Sequence, residues 1–376
     1  MQNFVNLISW WPVLVAGGVA LTVAVLLVVT QQWHGHLSTD STFGLQKFHT
    51  QPTPRVGGIA IAAGIVAGYL LSSADKKSLL GPLILAGAPA FAVGLLEDVT
   101  KNVGVRIRLL VTMGCGVLGW AVTGYSITGA NVPGLDWLLS ITVISVLFTA
   151  FAVGGIANAI NIIDGFNGLA AGTVVIILTA FGVMTIALGD HDLAMVCLIL
   201  ATAVIGFFLV NWPFGKIFLG DGGAYFMGFC LAWLAVLILV RHPEVSAWAP
   251  MLVCGYPILE VGFSFVRKFK REGHHPGQPD RVHLHMLLNR RVARRVYPTF
   301  NRTLQNGLTS QFAWIFAVFP CCWAVVFYEN TAVLVLGFVI SVVLYRMLYM
   351  RLTQFRWCWA AITLTSGKLQ SVTSIK

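Results

Sequence analysis

Long apolar stretches recur along the whole chain, and they constrain its fold more than any other feature of the sequence. About eleven of them approach the roughly 20 residues that an α-helix needs to cross the hydrocarbon core of a bilayer. We assign these segments to residues 10–30, 56–73, 79–96, 107–125, 138–157, 171–188, 193–210, 223–240, 247–266, 311–328 and 331–350. Only 10% of the residues are charged, against about 25% in soluble domains. The sequence therefore predicts an all-α, polytopic integral membrane protein.

The connections between these segments are short, apart from the polar stretch over residues 267–310. We therefore predict one transmembrane domain over residues 1–350, which includes the 267–310 loop and any catalytic site, followed by a tail over residues 351–376. The first segment lacks the basic start and small-residue cleavage site of a signal peptide, so we expect it to be retained.

Basic residues are distributed unevenly between the two sets of loops. One set, with the C-terminal tail, holds most of the Lys and Arg, whereas the other holds only Lys76, Lys77 and Arg241. The positive-inside rule then predicts that the N-terminus lies outside and the C-terminus in the cytoplasm. The net charge of +10 belongs mainly to the cytoplasmic face, where it would attract lipid headgroups and phosphate-bearing ligands.

Five compact polar clusters fall on the same predicted cytoplasmic face. They are "KFHTQPTPRVGG" (47–58), "GLLEDVTKNVGVRIR" (94–108), "NAINIIDGFNGLAAG" (158–172), "KIFLGDGGAYFMG" (216–228) and "HHPGQPDRVHLH" (274–285). Taken singly, each cluster could be an ordinary turn, helix cap or solvated loop. Because all five clusters lie on the same predicted face of the membrane, they indicate a common site.

Two of the clusters indicate how such a site would be built. Gly57 and Gly58 open the second apolar segment and predict a close approach of two backbones. Glu97 and Asp98 are adjacent acids at a membrane boundary, which is unfavourable unless a cation or a proton neutralises them.

Hard oxygen ligands favour phosphate chemistry with a divalent cation. Mg²⁺ usually takes one or two protein groups together with substrate phosphates and water, and Asp221 and Asn161 could supply those groups. Mn²⁺ is the expected substitute. Zinc fits less well, because His283 and His285 are only two residues apart and no Cys lies in their loop.

At these residues the sequence resembles the polyprenyl-phosphate N-acetylhexosamine-1-phosphate transferases. That family includes the phospho-MurNAc-pentapeptide translocase and the undecaprenyl-phosphate GlcNAc-1-phosphate transferases, and the resemblance extends from about His49 to His285. It implies roles for three groups of residues. The catalytic residues would be Asp98, Glu97, Lys101, Asp164 and His283; the substrate-binding residues Lys47, His49, Arg55, Asn158, Asn161, Asn167, Arg281 and His285; and the metal ligands Asp221 and Asn161.

The sequence departs from the family pattern at four positions. Glu97 stands where Asp is usual, Asn167 replaces a second Asp, Ala224 replaces Ser, and Met286 replaces a final His. Glu97 keeps its charge, whereas Asn167 removes one and so weakens any role for that position as a base or metal ligand. The Asp-Arg-x-His-x-His form favours the GlcNAc-type enzymes. Glu260 also resembles an acidic position of the family, with no role assigned.

The resemblance implies transfer of HexNAc-1-phosphate from a UDP-HexNAc donor to undecaprenyl phosphate, with release of UMP. This reaction would start lipid-linked envelope polysaccharide synthesis at the cytoplasmic face of the bacterial inner membrane. GlcNAc is the expected sugar; the pentapeptide translocase reaction and another UDP-amino sugar are the alternatives. Direct displacement is preferred over a covalent intermediate on Glu97 or Asp98. The expected partners are these two substrates and membrane lipid, without nucleic acid, and a homodimer is compatible with the sequence.

Two other classes of membrane protein fit the sequence less well than this enzyme. A membrane carrier would place polar groups near the bilayer midplane and often carries a repeat, whereas here the polar groups collect at one face. The Asp-rich signature of the CDP-alcohol phosphotransferases is absent from this sequence. If the enzyme assignment is right, the lipid tail should lie in an apolar groove near the ninth segment.

Overall fold

A computed structural model describes residues 2–40, 53–269 and 282–354 of the protein, and these residues are almost entirely helical. The all-α prediction is therefore confirmed. The helices are α1 (Gln2–Val29), α2 (Gln31–Ser38), α3 (Gly57–Leu71), α4 (Ala74–Thr100), α5 (Val105–Thr123), α6 (Leu135–Leu139), α7 (Thr142–Ile163), α8 (Leu169–Ala187), α9 (His191–Asn211), α10 (Gly220–Arg241), α11 (Trp248–Val253), α12 (Gly255–Phe269), α13 (Leu284–Leu288), a π-helical turn (Asn289–Ala293), α14 (Arg294–Val296), α15 (Arg302–Val326) and α16 (Thr331–Thr353). Two-residue strands, β1 (Thr39–Asp40) and β2 (Thr53–Pro54), pair antiparallel. Lys47, His49, Arg281 and residues 355–376 lie outside the described residues.

Each of the eleven apolar segments is helical, and nine helices within the described residues are long and apolar enough to cross a membrane. The chain is thus a multi-pass membrane protein. The other two segments differ from the expected spans, because α3 has only 15 residues and the ninth segment breaks between α11 and α12. Pro257 has no amide proton to donate to Val253, and the Cys321 thiol donates to that carbonyl at 3.4 Å instead.

Helix α10 lies at the centre of the bundle and is the most buried of the nine spans. Small residues let its N-terminal turn approach two other helices closely. A Cβ on Gly58 of α3 would lie 2.4 Å from the backbone nitrogen of Gly223, and one on Gly94 of α4 would lie 2.5 Å from the carbonyl of Asp221. The close backbone approach predicted for the Gly57–Gly58 pair is confirmed.

The polar clusters of the described residues meet at one end of this bundle. The carboxyl ends of α4, α7 and α12 and the amino ends of α3, α5, α8 and α10 lie there. The opposite end holds the start of α1 and a separate set of charges, in which Lys76 pairs with Asp192 at 3.1 Å and Arg241 with Asp190 at 2.6 Å.

Asp190 ties two helices together at that opposite end, and we expect its effect on stability to depend on pH. Its Oδ1 caps α9 through the Leu193 amide at 3.1 Å, and its Oδ2 accepts from Arg241 and His242. Burial raises the pKa of Asp190, but hydrogen bonds from Arg241, the Leu193 amide and His242 outweigh burial and lower it overall. A lowered pKa means that the contribution is present above about pH 4 and lost on acidification.

Asp190→Asn should therefore lower the free energy of unfolding by about 1 to 3 kcal/mol at pH 7, with the deficit shrinking towards pH 3. Thermal melts in detergent at several pH values measure this difference. Asp192→Asn is the matched control, because the Asp192 side chain is 42% exposed and its loss should change the melt little. An unchanging deficit between pH 7 and pH 3 would contradict the assignment.

Candidate active site

Asp221, in the first turn of α10, is the carboxylate on which the site converges. Its Oδ1 lies 3.2 Å from Arg55 Nη2 and accepts a hydrogen bond from Asn161 Nδ2 at 3.0 Å. Its Oδ2 accepts from Arg108 Nη1. These three partners come from different parts of the chain, so the fold, rather than a local motif, builds this cluster.

Asp98 fixes the backbone that carries Asp221. Its carboxylate oxygens accept the amides of Asp221 and Gly222, each at 2.9 Å, and its side chain is 1% exposed. These amides are among those that a helix start leaves without intrahelical partners, so the last turn of α4 caps α10. Gly220 precedes them at φ +76°, and a Cβ there would lie 2.5 Å from Asp98 Oδ2.

The neighbours of Asp98 close the turn between α4 and α5. Glu97 Oε2 accepts the Val103 amide at 2.7 Å. Lys101 ends α4 in the left-handed conformation, φ 58°, and its Nζ donates to the Asp98 carbonyl. Lys101 is thus an exposed residue whose ammonium lies beside the Asp98 backbone.

Asn161 and Asp221 provide donors that suit Mg²⁺. Asn161 Oδ1 accepts from Tyr225 Oη at 3.2 Å while its amide nitrogen faces Asp221. Turning the amide by 180° would aim its oxygen at the metal position and leave Tyr225 as an acceptor. No group of three His, Cys, Asp or Glu suited to a metal occurs within residues 2–40, 53–269 and 282–354. This donor set fits an ion held largely by substrate oxygens and does not fit a closed protein cage.

Asp164 follows α7 and lies close enough to the Asp221 cluster for the charges there to affect its pKa. Burial raises the pKa of Asp164 to about 7, an effect that Arg55 opposes and that Asp221 and Asp98 reinforce. A carboxyl group with this pKa can exchange a proton near neutral pH, as a general base requires.

Two asparagines predicted to bind substrate, Asn158 and Asn167, make contacts between different segments of the chain in this structure. Asn158 Nδ2 donates to Thr112 Oγ1 at 3.2 Å and so joins α7 to α5. Asn167 Nδ2 donates to the Pro213 carbonyl at 3.2 Å, and its backbone amide donates to Asn306 at 2.8 Å. The structure does not bring either side chain to Asp221.

His283 is held by a buried carboxylate that the sequence left without a role. Glu260 Oε1 lies 2.9 Å from His283 Nδ1 and accepts the Leu284 amide at 3.1 Å. Glu260 Oε2 accepts from Tyr345 Oη of α16 at 2.9 Å. With Nδ1 on Glu260, Nε2 is the ring nitrogen left for a ligand.

His285 lies deeper, between His283 and the turn after α7. Its ring stacks on His283 and meets Phe166 edge-on, and a Cβ on Gly165 would lie 3.2 Å from its Nε2. Both ring nitrogens are buried and have no hydrogen-bond partner among the described residues. Burial lowers the pKa of His285 to about 4, so it is neutral at pH 7. The histidine segment therefore packs beside the Asp164–Gly165 turn, and the His285 side chain is fully buried there.

An apolar cavity of about 550 Å³ lies between α7, α10 and the broken α11–α12 segment. Ala159, Ala232, Trp248, Ile258 and Gly262 are among its lining residues. Because it follows the ninth apolar segment, it agrees with the predicted position of a lipid groove.

Three residues of this site were not predicted from the sequence as site residues. In the sequence, Arg108 is one basic loop residue among many, and neither Tyr225 nor Glu260 has a predicted role. A signal existed for Tyr225, because residues four apart on a helix share a face and Tyr225 follows Asp221 by that spacing. The contact between Glu260 and His283 depends on how two separate segments pack together. The spacing of the two residues in the sequence does not predict it.

Comparison with known proteins bears on the same region of the chain. The family model described as Glycosyl transferase family 4 matches residues 80–239. The Bacillus subtilis protein named "probable undecaprenyl-phosphate N-acetylglucosaminyl 1-phosphate transferase" is 30% identical over 245 residues, which cover 65% of this chain and 67% of that protein. The chain belongs to the polyprenyl-phosphate N-acetylhexosamine-1-phosphate transferase family.

Other members of this transferase family are similarly close. The decaprenyl-phosphate N-acetylglucosaminephosphotransferase of Mycobacterium leprae is 30% identical over 294 residues, 66% of this chain and 71% of that protein. The undecaprenyl-phosphate alpha-N-acetylglucosaminyl 1-phosphate transferase of Yersinia pestis is 28% identical over 251 residues, 65% and 68% of the two chains. The matched residues 80–239 contain Asp98, Asn161 and Asp221.

Proposed function

We propose that the protein transfers GlcNAc-1-phosphate from UDP-GlcNAc to undecaprenyl phosphate and releases UMP. The observation that carries this proposal is the Asp221 cluster, where two arginines, an amide and a carboxylate meet at one end of a membrane bundle. The names of the similar proteins specify GlcNAc and a polyprenyl phosphate. We place the site on the cytoplasmic face of the bacterial inner membrane, because the loops at that end carry most of the Lys and Arg.

The reaction requires one anion to attack another. An oxygen of the lipid phosphate forms a bond to the sugar-bearing phosphorus, the bond from that phosphorus to the bridging oxygen breaks, and UMP leaves. When bound at Asp221 and Asn161, Mg²⁺, or Mn²⁺ in its place, would offset charge on the diphosphate and on the departing UMP.

The chain's own residues supply the remaining charge and the alignment. Arg55 and Arg108 bring two positive charges within contact of Asp221, and Lys101 and His283 are the further cations or donors proposed for phosphate oxygens. The lipid phosphate has a second pKa near 6 and is mostly dianionic at pH 7, so it needs little help from a base. Asp164 is the carboxyl group best suited to accept a residual proton.

The apolar cavity beside α11 and α12 extends from Ala159 and Gly262 to Ala130 and Leu135 at the opposite end of the bundle, and it is the proposed site for the lipid tail. Its lining is apolar, and it lies next to α7, which carries Asn158 and Asn161 at its carboxyl end. An acceptor seated there would present its phosphate at the same end of the bundle as Asp221.

A donor panel tests this function. Purified protein, undecaprenyl phosphate and Mg²⁺ are incubated with UDP-GlcNAc, UDP-GalNAc or UDP-MurNAc-pentapeptide, and UMP is measured. We expect UDP-GlcNAc to give the highest kcat/KM. A preference for the pentapeptide donor would identify the translocase reaction instead, and absence of UMP with every donor would indicate a carrier.

The Glu260 network predicts a graded loss of activity. Glu260→Gln removes the charge that faces His283 Nδ1 and should lower kcat about 10- to 100-fold, by analogy with the loss of carboxylates that orient metal-ligating histidines. Tyr345→Phe removes one of three donors to Glu260 and should have a smaller effect. Tyr328→Phe, at the opposite end of the bundle, is the control. Equal turnover in Glu260→Gln and wild type would show that the orientation of His283 is irrelevant to catalysis.

A further inference from the structure

Arg108 is a residue of the Asp221 cluster whose hydrogen bonding is incomplete. Its guanidinium pairs with Asp221 Oδ2, and its Cζ lies 5.9 Å from the centroid of the Tyr225 ring. Its Nε is buried and has no hydrogen-bond partner in the part of the chain that the structure describes. A buried donor without a partner is unfavourable, so an oxygen ligand at this position would improve the environment of Arg108.

Arg55, the other arginine on Asp221, is placed differently. Its Nη2 lies 3.6 Å from Asp98 Oδ1 and 3.2 Å from Asp221 Oδ1, so one guanidinium serves two carboxylates. Its backbone is fixed, because the neighbouring Pro54 carbonyl accepts the Phe218 amide at 2.8 Å. Moving Arg55 would leave buried Asp98 without its cation, which is costly. Arg108 makes its single ion pair within the described residues with Asp221.

The two oxygens of Asp221 are therefore not equivalent for an incoming cation. Oδ1 contacts Arg55 and Asn161, whereas Oδ2 is contacted by Arg108. A divalent cation that binds Oδ2 competes with Arg108 for that oxygen. It also adds positive charge beside a guanidinium, and like charges at this range repel.

We propose that Arg108 is an exchangeable counter-ion of the site. It pairs with Asp221 before the metal binds. When the metal binds Oδ2, the Arg108 guanidinium moves from Asp221 to the diphosphate of the donor. This inference rests on the proposed function for the identity of the diphosphate. Because Arg108 opposes the metal alone and favours the metal together with a diphosphate, metal and donor should bind cooperatively.

The test measures binding rather than turnover, with Mn²⁺ and UDP as the probes. Purified full-length protein in detergent is titrated with Mn²⁺ by EPR, with and without UDP, in wild type, Arg108→Gln and Arg106→Gln. Arg106 is exposed in the same turn of α5 and is the matched control. In Arg108→Gln we expect Mn²⁺ alone to bind about tenfold more tightly and UDP, with Mn²⁺ present, about tenfold more weakly, both within the usual range for coupled sites. Arg106→Gln should behave as wild type does.

Opposite changes in the two affinities separate this exchange from a structural role. Unchanged or weaker Mn²⁺ binding in Arg108→Gln would overturn the proposal, as would unchanged UDP binding. Arg108→Lys keeps the charge and should keep the Mn²⁺ affinity near that of wild type. If Arg108→Gln does not fold, Arg108→Lys becomes the test, and tighter Mn²⁺ binding in that variant would overturn the proposal.

The outcome is distinguishable from failure of the proposed function. Opposed Mn²⁺ and UDP effects without UMP release from any donor would keep the exchange and reject the transferase assignment. UMP release by the wild type, together with unaltered Mn²⁺ binding in Arg108→Gln, would keep the transferase assignment and reject the exchange.

Discussion

Asp221→Asn is expected to lower UMP release from UDP-GlcNAc by at least about 10³-fold, because it removes the charged oxygen proposed to hold the metal against the diphosphate. The amide keeps the shape of the side chain and can still accept the hydrogen bond from Asn161. The amide turns an N–H group towards Arg108 or Arg55, but both arginine side chains are partly exposed, at 14% and 25%, so the melting temperature should fall less than in Asp98→Asn. Turnover with saturating Mg²⁺ and a thermal melt measure both quantities.

The comparison requires a control carboxylate away from the site. Asp136, at the opposite end of the bundle, accepts the Ala130 amide at 2.6 Å, and Asp136→Asn should retain wild-type turnover. Near-normal turnover in Asp221→Asn would remove this residue from the catalytic machinery.

Asp98→Asn should produce a different pattern, in which a larger loss of stability accompanies the loss of activity. Both carboxylate oxygens accept backbone amides at the start of α10, and an asparagine would turn an N–H group towards one of them. A buried donor that faces another donor costs about 2 to 4 kcal/mol. Because these amides position Asp221, turnover should also fall about 10² to 10³-fold.

Thermal melts and turnover of Asp98→Asn distinguish two roles for this residue. A lowered melting temperature with lost turnover identifies Asp98 as the residue that positions Asp221. Lost turnover with an unchanged melting temperature would instead favour direct contact of Asp98 with a reacting group, in keeping with the catalytic role that the family resemblance implies.

The helical fold could be predicted from the sequence because each apolar segment is long and bounded by polar turns. The predictions were less accurate where a single residue alters a helix. The ninth segment reads as continuous, yet Pro257 lacks the amide proton that would bridge α11 and α12. The second segment contains enough apolar residues for most of a span, yet α3 ends at Leu71.

The site was predictable as a set of residues but not as a set of contacts. Asp98, Asn161 and Asp221 were expected to converge because their loops shared one face, and the structure brings them together. Asn158 and Asn167 shared that face too, but each side chain satisfies a neighbouring helix or turn instead. Membership of a loop cluster sets the end of the bundle at which a side chain lies, whereas its direction depends on helix rotation and packing.

Arg108 illustrates what spacing alone could not reveal. In the sequence it is one of several arginines on the basic face, indistinguishable from Arg106 two residues earlier. In the structure, helix α5 turns Arg108 towards Asp221 and leaves Arg106 exposed. The difference is a rotation of about 200° around the helix axis, which determines whether a cation faces the site or the surroundings.

The central claim is that Asp221 and its neighbours gather around one divalent cation bound to a diphosphate. Electron–nuclear double resonance on Mn²⁺ bound to the wild-type protein with UDP-GlcNAc tests it most directly, because direct Mn²⁺–phosphate coordination gives a phosphorus hyperfine coupling. We predict that this coupling is present in wild type and absent in Asp221→Asn. Mn²⁺ bound without phosphorus coupling in wild type, or the same coupling in Asp221→Asn, would contradict the account.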